Sequence, residues 1–203
     1  EFFFKLAQSI LGSSRGGAAK ISILASAFFG SISGSTVSNT LTTGAMTIPA
    51  MKRSGFSPRY AAAIEACAST GGPIMPPVMG AAAFIMASFL NVPYAYVVTG
   101  ALFPALLYYL GLFVQVDAYA SKCNLKGIPR ENLPSTIQTL KEGWQFLFVI
   151  VLLVYLLLTL KLEERAPFYA SAAMILLSFI RKNTRLNWRQ TIWLIVDTGK
   201  VVV

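Results

Sequence analysis

Two short polar segments interrupt otherwise apolar runs of the sequence, and both could bind a cation. In Gly30–Asn39, hydroxyl side chains are interspersed with glycines and followed by an amide. In Ser69–Pro77, two glycines and three prolines fall within seven residues. Hydroxyl, amide and backbone carbonyl oxygens are hard ligands that suit a small cation such as Na⁺. The candidate side-chain ligands of the first segment are Ser33, Ser35, Thr36 and Asn39.

The second segment, Ser69–Pro77, cannot continue as a regular helix. Proline lacks the backbone donor and glycine destabilises helices, so several carbonyls lose their partners. Such carbonyls are costly in lipid and survive only where the backbone is buried in protein or lines a wet cavity. The sequence therefore predicts a broken helix, with one half over 60–70 and the other over 78–90.

The composition indicates a membrane protein. Of 203 residues, 55% are apolar and 12% are charged, against about 25% charged in a typical soluble domain. No charged residue occurs in 21–51 or in 66–116, as expected of segments inside a bilayer. The 17 basic residues lie in short groups between apolar runs, which is typical of cytoplasmic loops rather than of nucleic-acid binding.

The residue types also argue against an enzyme. The chain has no histidine, which excludes histidine general bases and histidine-based metal sites. Its two cysteines, Cys67 and Cys123, fit neither a zinc pattern nor a disulfide framework. No acid pair and no thiol dyad is expected to be available for catalysis.

Basic residues flank the charge-free run 21–51 on both sides. Those flanking residues are Arg15, Lys20, Lys52, Arg53 and Arg59. Both ends are therefore expected in the cytoplasm, and the segment must enter the membrane and return. We predict a re-entrant helical hairpin with its tip near Ser31–Ser35. Each arm would have about 10–14 residues and reach about the middle of the bilayer.

The predicted fold is an all-α polytopic transmembrane protein. From 117–143 into Trp144, the spacing of Leu133, Ile137, Leu140 and Trp144 predicts a short amphipathic helix at the membrane surface. The predicted organisation is the end of a transmembrane helix and a cytoplasmic loop (1–20), the hairpin (21–51), the broken helix and the following transmembrane helix (60–116), a cytoplasmic amphipathic segment (117–143), and scaffold transmembrane helices with the start of a further segment (144–203).

Glu65 is the only acidic residue between Glu1 and Asp117. The favoured interpretation is an interfacial carboxylate paired with a nearby basic residue. The candidate partners are Lys52, Arg53 and Arg59. The alternative is a proton or cation relay within the membrane.

The polar segments and their surroundings resemble the large membrane subunit of TRAP transporters (tripartite ATP-independent periplasmic transporters). Gly30–Asn39, Thr42–Gly44 and Thr47–Phe56 carry the resemblance to the first hairpin. Ala66–Phe84 and Gly127–Pro134 are similar to the branch in which the small and large subunits are fused. The resemblance covers nearly the whole chain.

This resemblance implies an elevator-type secondary transporter of the ion transporter superfamily in a bacterial or archaeal inner membrane. It would import organic acids with Na⁺, and would receive them from a periplasmic binding protein. A small membrane subunit, or a fused equivalent, would complete it. The hairpin and the broken helix would form one sodium site and half of the substrate site. The chain is thus expected to be the first of two inverted repeats.

The resemblance also implies site residues at the tip and at the break. The expected sodium ligands are Ser33, Gly34, Ser35, Asn39, Thr70, Gly71 and Gly72. The expected substrate contacts are Ser35, Thr36, Asn39, Pro76 and Pro77.

Two other functions stay open from the sequence. Re-entrant segments also build the selectivity filters of channels. Glycine- and serine-rich helices also serve close packing, as in a membrane assembly subunit that does not transport.

Overall fold

The computed structural model describes residues 2–129, 131, 133–160 and 165–180. Within these residues all regular structure is helical, which confirms the predicted all-α class. The α-helices are α1 (Phe2–Leu11), α2 (Gly17–Ser33), α3 (Thr36–Arg53), α4 (Pro58–Thr70), α5 (Ala81–Leu90), α6 (Tyr94–Lys122), α7 (Thr136–Leu158) and α8 (Ala166–Ile180). A 3₁₀ turn, Gly72–Ile74, lies between α4 and α5.

Helices α2 and α3 form a hairpin that reverses at Gly34–Ser35, inside the segment predicted as the tip. Gly34 ends α2 in the left-handed region (φ 62°), and its N–H donates to the carbonyl of Gly30. Ser35 begins α3, where its hydroxyl accepts from the N–H of Ser38 at 3.3 Å. A glycine is the residue best suited to this left-handed cap.

The hairpin arms are longer than the sequence predicted. They contain 17 and 18 residues, or about 26–27 Å at the rise of an α-helix. Backbone hydrogen bonding continues past the charge-free run, and it takes in Lys52 and Arg53 at the end of α3. Basic residues are favourable at a helix C-terminus, so the helix does not stop at the first charge.

The broken helix consists of α4, the 3₁₀ turn and α5. Ser57 caps α4 through its hydroxyl, and Pro58 occupies the first turn, where its missing N–H costs nothing. The second half begins at Ala81 rather than at the predicted Val78. The N–H groups of Val78 and Gly80 donate to the carbonyls of Ser31 and Pro73. Neither makes the hydrogen bond to the fourth preceding residue that an α-helix requires, so α5 begins later.

Helices α6 and α7 are both long and apolar enough to cross a membrane. On α6, large apolar side chains such as Phe103, Leu110 and Val114 are exposed, as expected of a surface that faces lipid. Of the residues predicted to form a surface helix, Ile137, Leu140 and Trp144 lie in the first turns of α7. α6 continues to Lys122, and α7 runs unbroken through Gly143, because one interior glycine costs only about 1 kcal/mol.

The chain divides into two compact units, 1–143 and 144–203. In the first unit, small buried residues such as Ala19, Ala61, Ala68 and Ala120 let the helices approach closely. In the second unit, the rest of α7 and α8 bury Leu157 and Ala166 among other side chains. The further segment predicted near the end of the chain falls in 181–203, outside the described residues.

An ion-pair cluster links the start of α2 to the end of α6. Asp117 accepts from the Arg15 guanidinium and from the Lys20 ammonium, each at 2.6 Å. Arg15 also donates to the hydroxyl of Ser121 at 3.1 Å. All three charges lie outside the apolar runs; the Arg15 side chain is exposed, whereas that of Lys20 is largely buried against Asp117.

Candidate functional site

The hairpin and the break meet through bare backbone. A Cβ atom on Gly30 would lie 2.5 Å from the Cα of Gly72, and one on Gly72 would lie 2.7 Å from the Cα of Gly30. Real Cβ atoms do not approach backbone this closely. The two glycines therefore permit a helix-to-turn contact that no other residue pair would allow.

The tip makes a second backbone contact with the end of the break. The N–H of Val78 donates to the carbonyl of Ser31 at 3.1 Å. A Cβ on Gly34 would lie 2.1 Å from the carbonyl oxygen of Met79. The sequence predicted irregular backbone at both points, and the structure places them in direct contact.

Four helix ends converge on this junction. The C-terminal ends of α2 and α4 carry partial negative charge, and the N-terminal ends of α3 and α5 carry partial positive charge. The first pair favours a cation and the second pair favours an anion such as a carboxylate. The junction can therefore stabilise both kinds of ion.

The tip hydroxyls retain capacity for a ligand. Ser33 is exposed, and its hydroxyl accepts a long hydrogen bond from the N–H of Ser35 at 3.5 Å. The Ser35 hydroxyl accepts from Ser38, and the half-buried Thr36 follows it. Each hydroxyl oxygen has two lone pairs, so capping the helix leaves one lone pair for a cation or a substrate.

Asn39 is fully buried and connects the two arms of the hairpin. Its side-chain nitrogen donates to the carbonyl of Ser26 at 2.9 Å and is the part of the amide nearest Gly30 and Gly72. Its side-chain oxygen accepts from the hydroxyl of Thr43 at 3.3 Å. In this arrangement Asn39 joins the arms of the hairpin, and sodium ligation by its oxygen stays a prediction.

The expected ligands of the break do not all face the tip. The Thr70 hydroxyl is exposed and donates to the carbonyl of Ala66 in its own helix at 2.7 Å. Gly71 faces α6, where an added Cβ would meet the Tyr109 ring at 2.6 Å. Gly72 is the residue of this group that contacts the hairpin.

Three tyrosines donate to carbonyls around the break, a role that the sequence did not predict for any of them. Tyr108 donates to the carbonyl of Cys67 at 2.7 Å, and Tyr109 donates to that of Ala68 at 3.1 Å. The hydroxyl of Tyr94 bonds to the carbonyls of Pro77 and Val78. Carbonyls expected to be available to a cation are thus partly occupied.

The sequence does contain a feature that favours such tyrosine–carbonyl contacts. A tyrosine in an apolar helix needs a partner for its hydroxyl when it is buried. Carbonyls at the end of α4 and in the irregular linker that follows are natural partners. The half-buried Pro76 and Pro77 lie in the linker that these bonds hold in place.

Glu65 is fully buried, and the predicted pairing with a basic residue is wrong. Its carboxylate accepts hydrogen bonds from five hydroxyls on three helices. The donors are Ser22 and Ser26 of α2, Thr43 and Thr47 of α3, and Ser69 of α4. We call these six residues the Glu65 cluster. The expected partners Lys52, Arg53 and Arg59 are all exposed.

The position of Glu65 on the buried face of α4 explains why its side chain is buried. Ala61, Glu65 and Ala68 follow the i, i+4, i+7 spacing and are all buried, so Glu65 lies on the packed face of α4. Arg59 lies on the exposed face. The sequence signal was the set of serines and threonines that recur on the two arms of the hairpin.

Comparison with known proteins identifies the family. A family model described as the tripartite ATP-independent periplasmic transporter, DctM component, matches residues 1–203. The chain belongs to this family. The predicted resemblance to a TRAP large membrane subunit is confirmed, and the chain is a membrane protein.

Three curated relatives of this chain carry permease names. It is 29% identical over 150 residues to a C4-dicarboxylate TRAP transporter large permease protein of Vibrio cholerae, covering 73% of the chain and 33% of the relative. It is 26% identical over 200 residues to the protein of the same name from Pseudomonas aeruginosa, covering 97% and 46%. An isethionate TRAP transporter permease protein of Oleidesulfovibrio alaskensis is 30% identical over 150 residues, covering 73% and 23%.

The chain spans less than half the length of these relatives. Their names describe transport permeases and not enzymes, in agreement with the prediction from residue types.

Proposed function

We propose that this DctM chain forms one sodium site and half of an organic-acid site in a sodium-coupled importer. The observation that carries the proposal is the backbone contact of the hairpin tip with the break, Gly30 on Gly72 and Gly34 on Met79. A site built from two discontinuous helical elements is the arrangement by which secondary transporters hold coupling ions.

A small cation fits this junction better than a large one. The tip and the break bring backbone carbonyls and serine hydroxyls close together, and these hard oxygen ligands suit a small cation such as Na⁺. Hydroxyls of Ser33 and Ser35 border the junction. We assign sodium to this place, with Ser33, Gly34, Ser35 and Gly72 as the main candidates for its ligands, and with Asn39, Thr70 and Gly71 as further candidates.

The substrate is proposed to be a small organic acid, with a C4-dicarboxylate as the first choice. Two relatives are named for C4-dicarboxylates. The N-terminal ends of α3 and α5 offer partial positive charge for one carboxylate. The residues proposed to contact it are Ser35, Thr36, Asn39, Pro76 and Pro77.

The partners follow from the family. A periplasmic binding protein would deliver the acid, and a small membrane subunit or its fused equivalent would support the hairpin unit as a scaffold. The hairpin tip would be re-entrant in the inner membrane of a multi-pass protein. Loaded with sodium and acid, the tip and the break would move together against the scaffold in an elevator motion.

Uptake in proteoliposomes tests this proposal. The complete transporter would be reconstituted with its binding protein and given a labelled C4-dicarboxylate in external Na⁺ or external K⁺. Uptake is expected only in Na⁺. Equal uptake in both salts would overturn the sodium assignment.

Two controls separate the alternative functions. Current that flows without the binding protein and does not saturate would indicate a channel. A Ser33→Ala variant that alters assembly but leaves sodium and acid binding unchanged would indicate a packing role for the tip.

A further inference from the structure

We propose that a cavity at the basic end of α1, α2 and α3 binds an anionic phospholipid of the membrane, such as phosphatidylglycerol. The cavity has a volume of about 240 Å³. It contains none of the residues proposed to contact sodium or the organic acid, so this site is independent of the proposed function. We call it the basal cavity, and the residues that decide its character are Phe4, Gln8, Ile21, Ala50, Arg53 and Ser54.

The lining of the basal cavity changes from apolar to polar along two helices. On α1, the apolar Phe4 precedes Gln8 by one turn, and at the end of α3, Ala50 precedes Ser54 by one turn. Both helices run towards residues that are expected in the cytoplasm. The wall is therefore apolar on the membrane side and polar on the cytoplasmic side, in the same order as the acyl chain and the headgroup of a phospholipid.

Arg53 provides a positive charge at the polar end of the basal cavity. Its side chain is exposed, and the neighbouring Lys52 is exposed as well. Within the residues that the structure describes, Arg53 forms no ion pair and no side-chain hydrogen bond. A guanidinium can donate two parallel hydrogen bonds to a phosphate. We therefore assign the lipid phosphate to Arg53, with the Gln8 amide as a further donor.

The carbonyls at the end of α3 do not compete for the Arg53 guanidinium. A helix C-terminus carries partial negative charge when its last carbonyls lack partners. Here these carbonyls accept hydrogen bonds from the N–H groups of Ser54, Gly55 and Phe56. The Ser54 hydroxyl also donates to the carbonyl of Ala50 at 3.0 Å. Because the end of the helix is already paired, Arg53 is left to bind an external anion.

The opposite wall adds a dipole of favourable sign. Helix α2 begins at Gly17, and Ala18 in its first turn lines the basal cavity. The preceding Gly16 makes no side-chain cap. An uncapped helix N-terminus carries partial positive charge and favours an anion. The start of α2 therefore supports the charge of Arg53.

The size of the basal cavity favours a membrane lipid over a soluble ligand. Its volume of about 240 Å³ is below the roughly 300–1,000 Å³ of pockets that enclose a small molecule. A phospholipid needs less space, because part of one acyl chain can enter while the rest stays in the bilayer. A free phosphate would gain nothing from Phe4, Ile21 and Ala50. Basic pockets between membrane helices on the cytoplasmic side are typical sites for anionic lipid headgroups.

Lipid binding to the complete, delipidated transporter tests the proposal. Protein in detergent would be mixed with phosphatidylglycerol or with phosphatidylcholine of the same chain length, without sodium and without substrate. Native mass spectrometry would count the bound lipids. We expect the wild type to bind phosphatidylglycerol more tightly than phosphatidylcholine. Arg53→Gln should weaken phosphatidylglycerol binding about fivefold, whereas Arg59→Gln, which changes an exposed arginine outside the cavity, should leave it unchanged.

A second pair of variants tests the apolar part of the site while Arg53 is kept. Ala50→Phe would fill the basal cavity and is expected to weaken phosphatidylglycerol binding several-fold. Ala62→Phe, at an exposed position of α4 outside the cavity, should leave binding unchanged. The melting temperature of each variant without lipid shows whether it is folded.

Three results would overturn the lipid site. The first is equal binding of the two lipids by the wild type. The second is an equal loss in Arg53→Gln and Arg59→Gln, which would indicate a general attraction to the basic surface. The third is a melting temperature raised as much by inorganic phosphate as by phosphatidylglycerol, which would assign the cavity to a free anion. Because these measurements contain neither sodium nor acid substrate, their failure is distinct from failure of sodium-driven uptake.

Discussion

The hairpin (α2 and α3) and the broken helix (α4 and α5) together contain two polar regions that are built in opposite ways. The junction of tip and break is made of backbone brought together by glycines such as Gly30, Gly34 and Gly72. The Glu65 cluster is made of side chains, with five hydroxyls around one carboxylate. The first depends on the absence of side chains, and the second depends on their presence.

Because of this difference, the two regions are expected to respond differently to amino-acid substitution. At the junction, a side chain added to one of these glycines would clash with backbone atoms, which cannot rotate out of the way as a side chain can. In the cluster, hydroxyls rotate and two have alternative acceptors, so hydrogens can rearrange while the heavy atoms stay in place. The junction is therefore expected to tolerate no added side chain, whereas the cluster can change its hydrogen-bond pattern.

Gly34→Val is expected to have the largest effect. Gly34 has φ 62°, and a Cβ there would lie 2.1 Å from the Met79 carbonyl oxygen. Strain and overpacking together should lower the free energy of unfolding by about 3 kcal/mol or more. The measurement is the apparent melting temperature of purified protein in detergent.

Gly100→Ala provides the matched control on α6. No atom lies within 4 Å of a Cβ added to Gly100, so this helix position should gain up to about 1 kcal/mol. Equal melting temperatures for Gly34→Val and the wild type would show that the tip does not press against the break.

Glu65→Leu should have a smaller effect on stability. It replaces the buried carboxylate by an apolar side chain and leaves the hydroxyls of Ser22 and Ser69 without their acceptor, at a cost of about 1–3 kcal/mol. Glu142→Leu, at an exposed position, should change the melting temperature much less. If both variants melt alike, the Glu65 cluster contributes nothing to the fold.

The junction was largely predictable from sequence because glycine and proline act locally. Two glycines and three prolines in Gly71–Pro77 exclude a regular helix wherever they occur. The reversal at Gly34 follows from the run of small polar residues in an apolar segment. The contact between the two points required the structure, because sequence spacing does not fix how α2 lies against the 3₁₀ turn.

The Glu65 cluster was not predictable in the same way. Its donors are scattered over three helices, and no short motif joins Ser22 to Ser69. Only the rotation of α4 decides whether Glu65 faces the hairpin or the basic residues at its ends. The roles of Tyr108 and Tyr109 depended likewise on which side of the break α6 occupies.

The most direct test of the ion site is the accessibility of the tip with and without sodium. Val37, which is 69% exposed on the first turn of α3, would be replaced by cysteine in a Cys67→Ala background. The native exposed Cys123 would serve as an internal reference for the maleimide reaction. We predict that Val37→Cys reacts several-fold more slowly in Na⁺ than in K⁺ while Cys123 reacts equally in both. Identical rates at Val37→Cys in the two salts would contradict a sodium site at the junction of tip and break.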